Sequence, residues 1–382
     1  MASRTELVNA LDMLSGAVAQ KALVPILTHV LVEPESMLAH NQIIGIKVRV
    51  ATGATAPFNV KGEFITNLLK RLDSEEVTFR VMEDGKVEVR CGGHRSLLAQ
   101  MGDPFPRPKL EARREDWVDV AAGFSEAIER ALPCASADEG RAALCGVYLE
   151  AGEALAADGV FAVRCQLGTP FPSGEGVLLP RRAAEEIVRL GNPKRAVVSS
   201  GALALDYHNV LFIARLLDLK TQFPADALRK MLDERCAGYG RAAPVPDGLQ
   251  AALSRLALVA DRELGCTLAS AAPTRAAISI GNSLMRVEEA LDFGTTPPPL
   301  PREEVTFHPD RLLTGLRYGD RVAFGPDPGD PIYVEGDLNS YQFMMMPMQP
   351  GAVQPPPPPK PEPKDEDRPR WGAADTKDEV PF

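Results

Sequence analysis

Paired carboxylates, isolated thiols and acid–glycine steps are the residues of this 382-residue chain whose types could do chemistry. General acid–base work needs two groups facing one substrate. Glu75-Glu76 and Glu303-Glu304 are instead adjacent in sequence and read as solvated charges. Asp84-Gly85 and Asp158-Gly159 read as turns, where the short acid caps local N–H groups and glycine supplies positive φ. The six cysteines (Cys91, Cys134, Cys145, Cys165, Cys236 and Cys266) occur singly, without a CxxC pair, and the five histidines are dispersed. Structural zinc ligands come in close pairs, so no metal site and no cofactor is expected. The thiols are expected to be reduced and mostly buried. Neither GxSxG, HExxH, GxxxxGK nor GxGxxG occurs. The chain is not expected to be an enzyme.

Composition sets the frame for the elements behind these residues. A chain this long suits two or three domains, and 45% hydrophobic with 25% charged residues is ordinary for a globular protein. No apolar run of about 18 residues occurs, and the start MASRTELVNALDML lacks a basic-then-apolar leader pattern, so a cytoplasmic protein away from membranes is expected. The net charge of −10 argues by itself against nucleic-acid binding, although a basic lining can hide inside an acidic exterior. Residues 349–382 differ in kind. They hold a five-proline run, Pro355 to Pro359, and end in DTKDEVPF, so a disordered Pro-rich acidic tail is expected there.

Within the body, three segments share one order of elements. FNVKGEFITNLLKRL, GVLLPRRAAEEIVRL and EVTFHPDRLLTGLRYG each read as a short strand and a helix, followed by three strands between turns. Leu72, Leu190 and Leu316 close the three helices at a domain-sized spacing. Upstream of each lies an amphipathic helix: TELVNALDMLSGAV, GFSEAIERALPCAS and GLQAALSRLALVAD. Strand-like material follows each. The pattern predicts an α+β protein of three similar domains over 1–116, 117–240 and 241–348, each with two helices packed on antiparallel sheets. Helix-then-strand order also arises in unrelated α+β proteins, which is the plainer reading of the same pattern.

Four places then carry a resemblance: LVPILTHVLVE (Leu23 to Glu33), LAADGVFAV (Leu155 to Val163), VLLPRRAAEEIVRL with the later ARLLDLKTQFP, and MMMPM (Met344 to Met348). In order and spacing these resemble the bacterial DNA polymerase III beta subunit family, the beta sliding clamps. The likeness runs over about residues 4 to 348. The chain departs from the family at Ala157, Val160 and Phe161, where Thr, His and Arg are usual. It matches poorly between His40 and Pro57, and its tail is extra. It resembles a divergent, possibly phage-encoded member.

The resemblance implies a three-domain DNA clamp fold, with two copies forming a six-domain homodimeric ring around double-stranded DNA. It implies a processivity factor that holds DNA without reading sequence and tethers a DNA polymerase and a clamp loader. On the predicted helices, Lys70, Arg71, Arg130, Arg181, Arg182, Arg189, Arg255, Arg311 and Arg317 are the expected DNA-facing cations, with Lys21 after the first helix at a position where the family places an arginine. Solvated helix faces are the plainer reading of each. The implied partner-peptide pocket comprises Leu155, Ala157, Gly159, Val160, Phe161, Ala162, Pro224, Leu228, Met344, Met346, Pro347 and Met348, and methionine suits a site accepting several peptides. Plain core packing is its alternative. The implied ring seam sets Leu98 and Met101 against Leu258 and Val259. The end of the tail, Asp378, Glu379, Val380, Pro381 and Phe382, resembles the acidic Pro-Phe tip of bacterial single-stranded DNA-binding proteins, which implies partners that recognise such tips. A solubilising tail is the alternative there. The rival to the whole reading is a non-catalytic interaction scaffold that never encircles DNA.

Overall fold

The computed structural model describes residues 2–168, 171, 175–218, 222–238, 242–261, 264–281, 285–294, 300, 303–337 and 340–348, with the side chains of 235–238 left aside. The predicted tail, including Asp378 to Phe382, lies outside the described residues.

The first third runs β1 (Ala2–Ser3), α1 (Arg4–Leu14), β2 (His29–Glu33), β3 (Ser36–His40), β4 (Ile44–Arg49), β5 (Phe58–Lys61), α2 (Gly62–Lys70), β6 (Glu76–Val81), β7 (Val87–Cys91) and β8 (His94–Leu98). The second runs β9 (Val118–Asp119), α3 (Phe124–Ala131), β10 (Gly146–Glu150), β11 (Glu153–Ala157), β12 (Phe161–Gln166), β13 (Val177–Pro180), α4 (Arg181–Leu190), β14 (Arg195–Ser199), β15 (Ala202–Tyr207) and β16 (Val210–Arg215). An extra helix, α5 (Ala225–Gly238), follows. The last third runs β17 (Ala243–Pro244), α6 (Leu249–Ala257), β18 (Cys266–Ala272), β19 (Arg275–Gly281), β20 (Arg286–Asp292), β21 (Val305–Phe307), α7 (Pro309–Leu316), β22 (Arg321–Phe324), β23 (Ile332–Gly336) and β24 (Tyr341–Met345). Apart from α5, the three thirds have the same order of elements.

The repeat extends to the packing. Helix α1 buries Leu7, Ala10, Leu11 and Leu14; α3 buries Phe124, Ala127, Ile128 and Ala131; α6 buries Leu249, Ala252, Leu253 and Leu256. Each set follows the i, i+3, i+4, i+7 spacing that places apolar side chains on one helix face. Gly123 and Gly248 precede α3 and α6 with φ of 98° and 89°, a left-handed turn that a side chain resists. The helices pack in pairs, α1 with α2, α3 with α4 and α6 with α7.

Sheet pairing joins the thirds. One eight-stranded sheet has the order β5-β2-β3-β4-β16-β15-β14-β9, and the other β13-β10-β11-β12-β24-β23-β22-β17. In both, the fourth strand of one repeat pairs antiparallel with the last strand of the next: Ile46 opposite Phe212, and Val163 opposite Phe343. Two four-stranded sheets remain, β1-β6-β7-β8 and β20-β19-β18-β21. The main core lies between the sheets and the helix pairs, and residues of all three thirds contribute to it.

Cys91, Cys134, Cys165 and Cys266 are buried free thiols, and Cys145 is half-buried. Among the described residues no group of His, Cys, Asp and Glu is placed to hold a metal, and no helix is long and apolar enough to cross a membrane.

Candidate functional site

The six repeated helices form one face, stitched across the repeat boundaries. Arg189 of α4 donates to the Met13 carbonyl at 2.8 Å and the Asp12 carbonyl at 3.2 Å, both in α1. The Tyr318 hydroxyl, just past α7, donates to Glu129 of α3 at 3.2 Å, with Arg317 at 3.7 Å from the same carboxylate. The helices carry eight cations (Arg4, Lys70, Arg130, Arg181, Arg182, Arg189, Arg255, Arg311) and eight acids (Glu6, Asp12, Glu63, Glu126, Glu129, Glu185, Glu186, Asp310). They are therefore neutral in a chain of net charge −10, and the negative excess lies elsewhere.

The expected cations of this face differ in how far they are free. Lys70 is 2.7 Å from Asp12, Arg181 is 3.2 Å from Glu185 and donates to the Ala135 carbonyl, and Arg255 forms a forked pair with Glu289. Arg130 pairs with Glu126 and Arg189 with Glu186 at 2.7 Å. Lys21, Arg71 and Arg182 are exposed, Arg311 is half-buried, and none of the four has an ion pair among the described residues.

On the face turned away from the six repeated helices, the strands of the sheet that joins β12 to β24 present a second apolar layer. Tyr148, Leu155, Ala157, Ala162 and Leu178 pack with Phe223 and Leu228, and Met344 packs with Ala323, Tyr333 and Leu232. The Tyr148 and Phe223 rings stack with centroids 4.9 Å apart. Leu228 and Leu232 belong to α5, which lies over this layer and leaves Leu155, Ala157, Ala162 and Met344 at most 4% exposed. Arg229 holds the helix down through Glu150 at 2.7 Å and Glu153 at 2.9 Å. Burial alone would lower the Arg229 pKa, but hydrogen bonds to Glu153 and Glu150 outweigh it and raise it, so the guanidinium stays charged. Arg164 bonds Asp233 and Gln342, a second tie between α5 and the sheet.

The expected pocket residues divide by strand alternation. Leu155, Ala157, Ala162 and Met344 share the sheet face that Leu228 and Leu232 of α5 cover. Phe161 does not. It turns to the main core, its ring 6.0 Å from Phe343, because residues 161, 163 and 165 of β12 point to the helices. Met348 is also apart, its backbone N–H bonded to the Thr306 carbonyl at 2.6 Å and its sulfur beside Gly265. Gly159, Pro224 and the 40%-exposed Met346 form the open rim with half-buried Val160 and Pro347, and Met346 donates to the Val160 carbonyl at 2.8 Å.

At the two ends of the chain's sheets, β8 and β20 are edge strands. Leu98 is buried in its own core and its neighbour Leu97 is 50% exposed, so alternation presents Leu97 rather than Leu98 to an incoming surface. Asn59 holds Met101 through both its N–H and its carbonyl, at 3.0 Å and 2.9 Å. Leu258, past α6, is 87% exposed, with Val259 half-buried beside it. A cleft of about 530 Å³ lies along α2, lined by Phe64, Asn67, Leu68, Arg71 and, from β8, His94.

Neither a protein-family model nor a curated protein sequence matches the chain. Solved structures do. The DNA polymerase sliding clamp of Bacillus subtilis aligns with a TM-score of 0.75 at 19% identity, covering 91% of this chain and 98% of that one. The DNA polymerase III subunit beta of Pseudomonas aeruginosa gives 0.75 at 21% identity, with 91% and 99% covered. The beta subunit from DNA polymerase of Streptococcus pyogenes gives 0.75 at 18% identity, again with 91% and 99% covered. This chain has the fold of a DNA sliding clamp. Nearly the whole length of each clamp is represented, so the three-domain α+β plan expected from the repeat is the plan observed.

Within that clamp fold, sequence reasoning missed α5 as a covering helix. Its signal was present: Ala225, Leu228 and Leu232 recur at i, i+3 and i+7 between charged residues. The two-residue strands β1, β9 and β17 carry no such periodicity, and only their pairing with β6, β14 and β22 reveals them.

Proposed function

We propose that this chain is a DNA sliding clamp, a non-catalytic processivity factor whose two copies close head to tail around duplex DNA. One observation carries the reading. Two of the three equivalent junctions are filled inside the chain, β4 on β16 and β12 on β24, and the third pair of matching strands, β20 and β8, is left as two edges. A second copy supplies the missing partner at each end, so two chains complete six repeats and pair edges that otherwise invite aggregation. At the filled β4–β16 junction, Gly16 after α1 abuts Glu186 of α4. Counting along the repeats, Leu258 takes the place of Gly16 and Asn67 that of Glu186. Leu258 with Val259 therefore enters the partner copy's cleft beside Phe64, Asn67 and Leu68.

The twelve repeated helices of such a pair line the hole. Their neutral face, with Lys21, Arg71, Arg182 and Arg311 free, meets phosphates by diffuse, salt-sensitive contact that does not read bases. Retention is topological, so tight contact is unnecessary. A DNA polymerase or a clamp loader binds by peptide at the β12–β24 junction, with anchors at the rim of Gly159, Val160, Pro224, Met346 and Pro347 beside Leu228. The tip Asp378 to Phe382 docks proteins that recognise acidic Pro-Phe ends, and its deletion abolishes that docking while the ring persists.

Light scattering with circular-DNA retention tests the reading. The wild type is expected at twice the 41.2 kDa chain mass and to remain on nicked circles until they are linearised. Leu258→Glu gives monomers that are not retained. A wild-type monomer that also shows no salt-dependent DNA interaction would end the reading in favour of a scaffold.

A further inference from the structure

The helix-free face of the first junction holds a cleft that the clamp reading leaves unused. It measures about 560 Å³, within the range of built ligand sites, and its lining includes Lys47, Arg49, Arg114, Arg195, Asp206 and Trp117. Four cations thus face one carboxylate in a chain whose net charge is −10. Two are already engaged. Lys47 lies 3.3 Å from Glu33, and Arg195 pairs with Asp206 while its guanidinium sits 5.6 Å from the centre of the Trp117 ring. Arg49 and Arg114 are exposed and have no ion pair among the described residues. The apolar part of the lining is Leu211 and the indole of Trp117, while the side chain of Val210 turns into the main core.

From this arrangement we infer that the β4–β16 junction is a second docking site, for an acidic peptide segment carrying one aliphatic or aromatic anchor. Guanidinium groups bind carboxylates through forked, charge-assisted hydrogen bonds, and Arg49 and Arg114 are the two available forks. The anchor lies on Leu211 beside Trp117, where burying one side chain supplies most of the binding. A single strand of nucleic acid fits less well. Such strands bind on successive aromatic platforms, whereas this cleft has one aromatic ring, over which Arg195 already sits. The site lies on a different sheet from the β12–β24 junction and does not depend on the ring encircling DNA.

Fluorescence anisotropy with the full chain and a fluorescein-labelled Asp-Glu-Asp-Leu-Phe peptide tests it, with Asn-Gln-Asn-Leu-Phe as the neutral control and a thymidine oligonucleotide as competitor. Saturable binding is expected for the acidic peptide, roughly tenfold weaker for the double variant Arg49→Glu/Arg114→Glu. It should also weaken as ionic strength rises from about 0.05 to about 0.5 M. Both arginines are exposed, so thermal melting of the variant is expected to match the wild type. Met346→Glu, at the other junction, is expected to leave this binding unchanged. The proposal falls if the acidic peptide shows no saturable binding, or if the neutral peptide binds equally. It falls likewise if Met346→Glu abolishes binding while the arginine variant does not, or if the oligonucleotide displaces the peptide more effectively than unlabelled peptide does.

Discussion

At the β4–β16 junction the sheet face turned away from the six repeated helices is covered by an extended segment; at the β12–β24 junction it is covered by α5. The backbone pairing is the same in both. Over the first, Leu110, Ala112 and Trp117 pack on Val197, Ala204 and Ile213, and the rest of the face stays open as a cationic cleft. Over the second, α5 inserts Leu228 and Leu232, and the layer beneath is closed. Two copies of one supersecondary junction thus become a wet charged groove and a dry apolar seam. Strand pairing provides the platform, and the connecting segment with the outward side chains decides what the platform can bind.

That contrast can be broken by mutation. Leu232→Ala removes a fully buried side chain from the dry seam and is expected to cost about 2–5 kcal/mol, read from urea unfolding. Leu211→Ala in the open cleft is expected to cost less than about 1.5 kcal/mol. Equal losses would mean that the two faces are packed alike. Arg229→Met leaves Glu150 and Glu153 without their shared cation and should destabilise the seam by about 1–3 kcal/mol. Hydrogen exchange should then quicken in α5 before it quickens in β24.

Acid provides a gentler probe of the first junction. Burial pushes the Glu33 carboxyl upward, but hydrogen bonds from Ser36 and Arg107, and the charge of Lys47, bring it down to about 2. A depressed carboxyl contributes stability that is present above its unfolded value of 4.5 and is lost as pH falls through about 2. The linking segment held by Arg107 should therefore loosen across that window, and Glu33→Gln should remove the dependence, measured as a thermal midpoint against pH. The smallest effect is expected from Asp206→Asn. The Arg195–Asp206 pair is partly exposed, so its loss should change stability by less than about 1 kcal/mol. It would release Arg195 and tighten the acidic peptide. Weaker peptide binding in this variant would show that Asp206 positions Arg195 rather than competing with the ligand.

Much of the fold was legible because burial imposes periods on a chain. Leu7, Ala10, Leu11 and Leu14 mark α1 without reference to anything else, and the same spacing marks α3 and α6. The site was legible only in part. Leu155, Ala157, Ala162 and Met344 do share a face, but Phe161 and Leu98 were assigned to surfaces from which strand alternation turns them away. Nothing in the sequence marks Arg49, Arg114 and Trp117 as neighbours, since a cation in a strand and a tryptophan in a loop carry no local sign of meeting.

The sequence by itself determined the helix faces, the three-part repeat and the absence of the common catalytic motifs, because each depends on residues close along the chain. Only the tertiary structure decided which strands meet across the repeats, which edges stay open and which charges converge. Those outcomes depend on register between distant segments, where a shift of one residue exchanges the buried face for the exposed one. No local pattern carries that choice; the burial of both faces together makes it.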